Sequence, residues 1–84
     1  MKRIVFTRHA EAKLVRPGLR REWVEEAARH PAWVEPDPFD PEVERRFKPV
    51  EEFGGRVLRV AVVETPAVIR VISAFFDRGA RRKR

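Results

Sequence analysis

The 84-residue chain contains no cysteine. That excludes disulfides, cysteine-ligated zinc and thiol catalysis together, and it fits a reducing compartment. Asparagine and glutamine are absent as well, methionine occurs once, and arginine outnumbers lysine 15 to 4. Depletion of thermolabile side chains alongside abundant charge is the pattern expected of a thermophile, and GC-rich codon use is the alternative source of abundant arginine, alanine, proline and glycine. Long apolar runs are missing too. In Met1-Lys2-Arg3-Ile4-Val5-Phe6-Thr7 only three apolar residues follow the charges, too few for the core of a signal peptide. No later run is long enough to span a membrane, so a cytoplasmic protein with no membrane partner is expected. Two distant histidines make no metal site, and no cofactor is expected. Thr7, Thr65 and Ser73 are the only hydroxyl side chains, so no Ser-His-Asp arrangement can be argued.

What is present fits one small domain. A chain of this length buries roughly 60–65% of the surface its unfolded form exposes. A site is therefore expected as an open groove rather than a deep cavity. The net charge is +6, unevenly spread. Residues 1–30 carry +4, residues 35–52 carry −4, and residues 53–77 carry +1. The segment Arg78-Gly79-Ala80-Arg81-Arg82-Lys83-Arg84 adds +5 with no acid. We therefore divide the chain into a domain over 1–77 and a basic tail over 78–84. The tail reads either as phosphate contacts to RNA or DNA or as a solvated terminus that aids solubility.

The hydropathy pattern gives the order β-α-α-β-β-β. A short strand over Lys2 to Thr7 leads into a helix from Arg8 to about Arg16, with Thr7 as its cap. Pro17-Gly18 ends that helix. A second helix, Arg20 to His30, carries Leu19, Trp23, Val24, Ala27 and Ala28 on its apolar stripe and stops at Pro31. Four prolines between residues 31 and 41 exclude a helix and most of a central strand, although Ala32-Trp33-Val34-Glu35 has room for a brief extended segment. Strands over Val43–Val50, Arg56–Val63 and Ala67–Phe76 follow, with a turn at Gly54-Gly55. The expected fold is α+β, an antiparallel sheet with both helices on one face.

Alternation assigns Leu58, Val60, Val62, Ile69, Val71 and Phe75 to the helix-bearing face. Arg59 and Arg70 then interrupt a second apolar face, opposite Ile72 and Ala61, as diagonal neighbours. Such a face needs covering, by a homodimer, by the Pro-rich loop with Trp33 and Phe39, or by a partner protein. Each arginine can also simply lie flat with its head in water.

Thr7-Arg8-His9-Ala10, then Lys13-Leu14, Gly18-Leu19, Val24, Ala28, Pro31, Gly54-Gly55-Arg56 and Leu58-Arg59-Val60 form a set. The set resembles a prokaryotic family of unknown function within the RelE/ParE-like toxin superfamily, over nearly the whole chain. Three positions depart from that pattern: Pro17 replaces an arginine, Arg20 replaces a capping serine, and the Pro-rich segment is longer. The resemblance implies a twisted sheet with helices on one side. Related toxins cut mRNA without a metal or poison DNA gyrase, and an antitoxin protein neutralises them.

Metal-free RNA cleavage needs a base for the 2′-hydroxyl, cations on the phosphate and an acid for the leaving oxygen. His9 is the candidate base, with Lys13 one helical turn on and Arg59 as the third candidate catalytic residue. Arg56, Arg59, Arg70 and Arg78, with Arg81, Arg82, Lys83 and Arg84 of the tail, are the candidate nucleic-acid contacts. His9 read structurally would instead anchor the strand–helix junction. The chain has no tyrosine, on which some related toxins rely. Two functions follow as expectations: a toxin-like, metal-independent endoribonuclease of a toxin–antitoxin pair, or a non-catalytic module that binds nucleic acid or protein.

Overall fold

The structure, a computed structural model, describes residues 1–15 and 18–82. Its elements are β1 (Arg3–Phe6), α1 (Arg8–Leu14), α2 (Arg21–Arg29), β2 (Trp33–Pro36), β3 (Glu44–Val50), a 3-10 turn (Glu51–Phe53), β4 (Arg56–Glu64) and β5 (Val68–Phe76). The strands form one sheet in the order β1-β5-β4-β3-β2. No helix among the described residues is long and apolar enough to cross a membrane.

Thr7 starts α1. Its Oγ accepts from the Ala10 amide at 3.2 Å and donates to the Ile72 carbonyl, also at 3.2 Å. One hydroxyl thus fills a free first-turn donor and ties the helix to β5. Arg20 occupies the cap of α2 and makes no side-chain cap bond. Its guanidinium lies 5.5 Å above the Trp23 ring instead. The predicted end of the first helix at Arg16, and the Pro17 stop, lie outside the described residues.

Two features of the sheet correct the expectation. It is mixed rather than antiparallel throughout, because β1 pairs with β5 in parallel. The two-helix connection after β1 carries the chain across the sheet, which permits a parallel neighbour. It also has five strands, because β2 pairs with β3 and inserts a strand between α2 and the predicted second strand. Pro36 is tolerated there because β2 is an edge strand, with one side free of ladder bonds. Trp33 stacks on Phe47 across the pair, centroids 4.9 Å apart and rings within 4° of parallel.

A bulge in β5 makes the third correction. Up to Ala61↔Ser73 the β4–β5 register runs in one phase, and from Val62↔Val71 it runs in another, leaving Ile72 as the extra residue. The side chains on the two sides of Ile72 therefore alternate out of step. Ile69, Val71 and Ala74 join the buried core and Phe76 packs against it, while Phe75 turns outward. Continuous alternation had placed Phe75 inside and Phe76 outside. Arg59 faces Phe75, and Arg70 faces Val63. The two arginines are thus four residues apart along β4, ~13 Å, and not diagonal neighbours.

Both helices pack on one face. Ala10 from α1 and Val24, Ala27 and Ala28 from α2 meet Leu58, Val60 and Val62, which are fully buried. Trp23, Phe53 and Phe76 close one end of this layer as an aromatic cluster, with centroids 4.7 to 6.2 Å apart.

Candidate functional site

A site was expected from the arginines of the second face, so their partners decide what they can do. Arg59 is held on both sides. Its guanidinium sits 4.3 Å over the Phe75 ring and donates to Asp77 Oδ2 at 3.2 Å. Arg70 is exposed and stands apart from it. The predicted pair therefore does not form one anion site.

Other candidates do come together, around the C-terminal end of β5. Lys13, in the last turn of α1, borders a groove with Leu19, Phe53, Arg56 and Phe76. Arg56, the first residue of β4, lies 5.3 Å over Phe53 and also borders an adjoining groove of about 470 Å³ with Asp77 and Arg78. A third groove shares Asp77 and Ala80 with that one and adds Arg59, Arg81 and Arg82. The three share walls, so Lys13, Arg56, Arg78, Arg59, Arg81 and Arg82 follow one another along a continuous strip. Lys13, Arg56 and Arg78 make no ion pair among the described residues.

The tail takes part because it turns back. The Asp77 amide closes the ladder onto the Val57 carbonyl at 2.9 Å, its carboxylate accepts from Gly79, and its carbonyl accepts from Ala80. Residues 79–82 then return along the outer face of the sheet toward Phe47 and Trp33. This return, with Trp33, leaves the Phe47 ring only 3% exposed on a face with no helix. Phe39, a proposed cover, instead stands 91% exposed. Lys83 and Arg84 lie outside the described residues.

His9 stands exposed in the first turn of α1, four residues before Lys13. Among the described residues its side chain makes no hydrogen bond, so the strand–helix junction is anchored by Thr7 and not by His9. No group of three or more histidine and carboxylate side chains among the described residues is placed to hold a metal.

Sequence reasoning passed over Arg46. It stands on the core face of β3 opposite Val60 and is 8% exposed. Its guanidinium donates to the Ala28 carbonyl at 2.6 Å, to Glu64 Oε1 at 2.6 Å and to Glu44 Oε1 at 2.8 Å. Burial works against its charge, but the bonds Arg46 donates to Glu64 and Glu44 outweigh that and hold it above the ordinary arginine value. Glu64 is held below the ordinary carboxylate value by its bond from Lys2 first and from Arg46 second. This cluster is fully satisfied and belongs to the framework.

No protein-family model, no curated protein and no solved structure matches the chain.

Proposed function

We propose that this protein is a nucleic-acid-binding module that grips the phosphate backbone of RNA along the strip from Lys13 through Arg56 and Arg78 to Arg82. The observation that carries this reading is the run of cations in three connected grooves whose described lining holds two carboxylates, Asp77 and Glu35. Guanidinium forks and an ammonium group lined along connected grooves can neutralise phosphates, and release of condensed counterions supplies affinity. The half-exposed Phe75 beside Arg59 offers a ring face for an unpaired base, which favours single strands over duplex.

Binding of a fluorescent single-stranded RNA, followed over a salt series, tests this. Arg56→Glu with Arg78→Glu should weaken binding more than tenfold and flatten the log–log salt slope by roughly 1.4, two lost phosphate contacts at about 0.7 each. Arg70→Glu, off the strip, should leave the slope unchanged. Equal loss in both variants would reduce the effect to net charge and remove the strip.

One observation favours a second reading, a toxin-like ribonuclease of the RelE/ParE-like superfamily neutralised by an antitoxin. His9 and Lys13 stand four apart on α1, on one side of that helix, and Lys13 lines the strip. His9 would take the 2′-hydroxyl proton as that oxygen attacks phosphorus, Arg56 would hold the phosphate as charge builds on it, and the P–O5′ bond would break with the Lys13 ammonium giving the leaving oxygen its proton. Arg59, committed to Asp77, positions rather than reacts. Induction should then arrest growth, and His9→Ala should abolish both arrest and cleavage while leaving RNA binding intact. Harmless high-level expression of the wild type would remove this reading.

A further inference from the structure

Apart from Met1, the most exposed large apolar side chain among the described residues is Phe39, at the tip of residues 37–42 between β2 and β3. Nothing about this loop is slack. The Asp37 carboxylate accepts from the amides of Phe39 at 2.9 Å and Asp40 at 3.0 Å, and from Arg45 Nε at 3.2 Å. The Asp40 carboxylate accepts from the Glu42 amide, and backbone bonds join Asp37 to Val43 and Val43 to Asp40. Pro36, Pro38 and Pro41 fix three further backbone angles. A phenyl ring is thus held out into water in a set pose, and docking it would cost little further ordering. Asp40 and Glu42 flank it, exposed, and neither makes an ion pair among the described residues. The loop is a knob with an apolar centre and an acidic rim.

Its complement lies at the opposite end of the sheet. The groove beside α1 has an apolar floor of Leu19, Phe53 and Phe76 and a cationic rim of Lys13 and Arg56. A knob cannot reach the groove of its own chain. It adjoins the start of β3, where Glu44 pairs with Val62, whereas the groove borders Arg56, six residues away along β4, ~20 Å. We propose that the Phe39 loop of one copy seats in the Lys13/Arg56 groove of a second copy, and that the second copy returns the same contact. The reciprocal exchange is isologous and closes at a dimer. It occupies part of the strip assigned above to phosphates, so dimer and RNA compete for Lys13 and Arg56. The dimer itself does not depend on the RNA reading.

Sedimentation equilibrium of the full chain without nucleic acid, over a concentration series at low and high salt, tests the contact. The wild type should show a monomer–dimer equilibrium that weakens as salt rises. Phe39→Ser, at a position too exposed to affect folding, should weaken dimerisation at least tenfold. Asp40→Arg with Glu42→Arg in one chain, and Lys13→Glu with Arg56→Glu in another, should each give monomers alone. Mixed in equal amounts they should form a heterodimer, because the basic knob meets the acidic groove and the acidic knob meets the basic one. A wild type monomeric at every concentration, a Phe39→Ser dimer as tight as wild type, a mixture that stays monomeric, or assembly past two copies would each overturn the proposal.

Discussion

Arg46 illustrates how much one side chain contributes when its surroundings are dry. A guanidinium on the core face of β3 is tolerable only because three oxygens from α2, β3 and β4 receive its protons. Arg46→Ala would leave the Ala28 carbonyl without its donor and Glu44 without its cation, while Glu64 would keep only Lys2. We expect a loss of about 3 kcal/mol, read from urea unfolding. Glu64 adds a pH dependence. Its folded value lies below its ordinary one, so the unfolded chain binds the extra proton, and stability is fully present above the ordinary value of 4.5 and falls as pH drops through the lowered one. Asp37, held down by the Phe39 amide first and by Asp40 and Arg45 further, acts in the same sense. Glu64→Gln should therefore flatten the acid limb of a stability–pH curve without abolishing it. An unchanged limb would show that other carboxylates govern it. The Thr7 cap and the core role of Trp23 were legible in the sequence because each rests on neighbours three or four residues away. The Arg46–Glu64 and Arg59–Asp77 pairs were not, because each joins residues 18 apart that only the folded sheet brings together.

The elements of the sheet show the same limit more sharply. Apolar alternation located β3, β4 and β5 almost to the residue, yet one extra residue at Ile72 exchanges the faces of the last four positions. Uninterrupted alternation and the bulged strand make opposite forecasts for two adjacent phenylalanines. With the bulge, Phe76→Ala should cost about 3 kcal/mol through loss of packing on Trp23 and Phe53. Phe75→Ala should cost only about 1 kcal/mol, from its contact with Arg59. The reverse ranking in thermal or urea unfolding would rule out the bulge. The turn that leads into β4 makes a simpler case. Gly55 has φ +74° and bonds its amide to the Val50 carbonyl, and a Cβ there would meet nothing within 4 Å. Gly55→Ala should lose about 1 kcal/mol from backbone strain alone, with no change in packing. That turn was readable because two consecutive glycines permit what other residues resist, whereas β2 was only half readable because prolines mark edge strands and loops alike.

Across the whole molecule the acidic Phe39 loop and the Lys13/Arg56 groove lie at opposite ends of the sheet. The acidic loop stands at the start of β3, and the cationic strip wraps the end of β5. The sequence placed five of six net charges in residues 78–84 and left open whether they were solvated or engaged. The return of residues 79–82 along the outer face joins part of that charge to Arg56 and Lys13 from elements far apart in the chain. A chain ending at Asp77 therefore separates the tail's share of RNA binding from that of the body. It keeps Lys13, Arg56 and Arg59 and loses Arg78, Arg81 and Arg82 among the described residues. Its salt slope should fall by at least roughly 2, from Arg78, Arg81 and Arg82 at about 0.7 each with Lys83 and Arg84 removed as well, while a measurable slope remains. Introducing Arg56→Glu into the truncated chain should then lower the slope further. If truncation alone removes all salt dependence, the tail binds by itself and the grooves of the body contribute nothing. If truncation changes nothing, the tail arginines serve only to cover the sheet, and Lys13 and Arg56 carry the contacts.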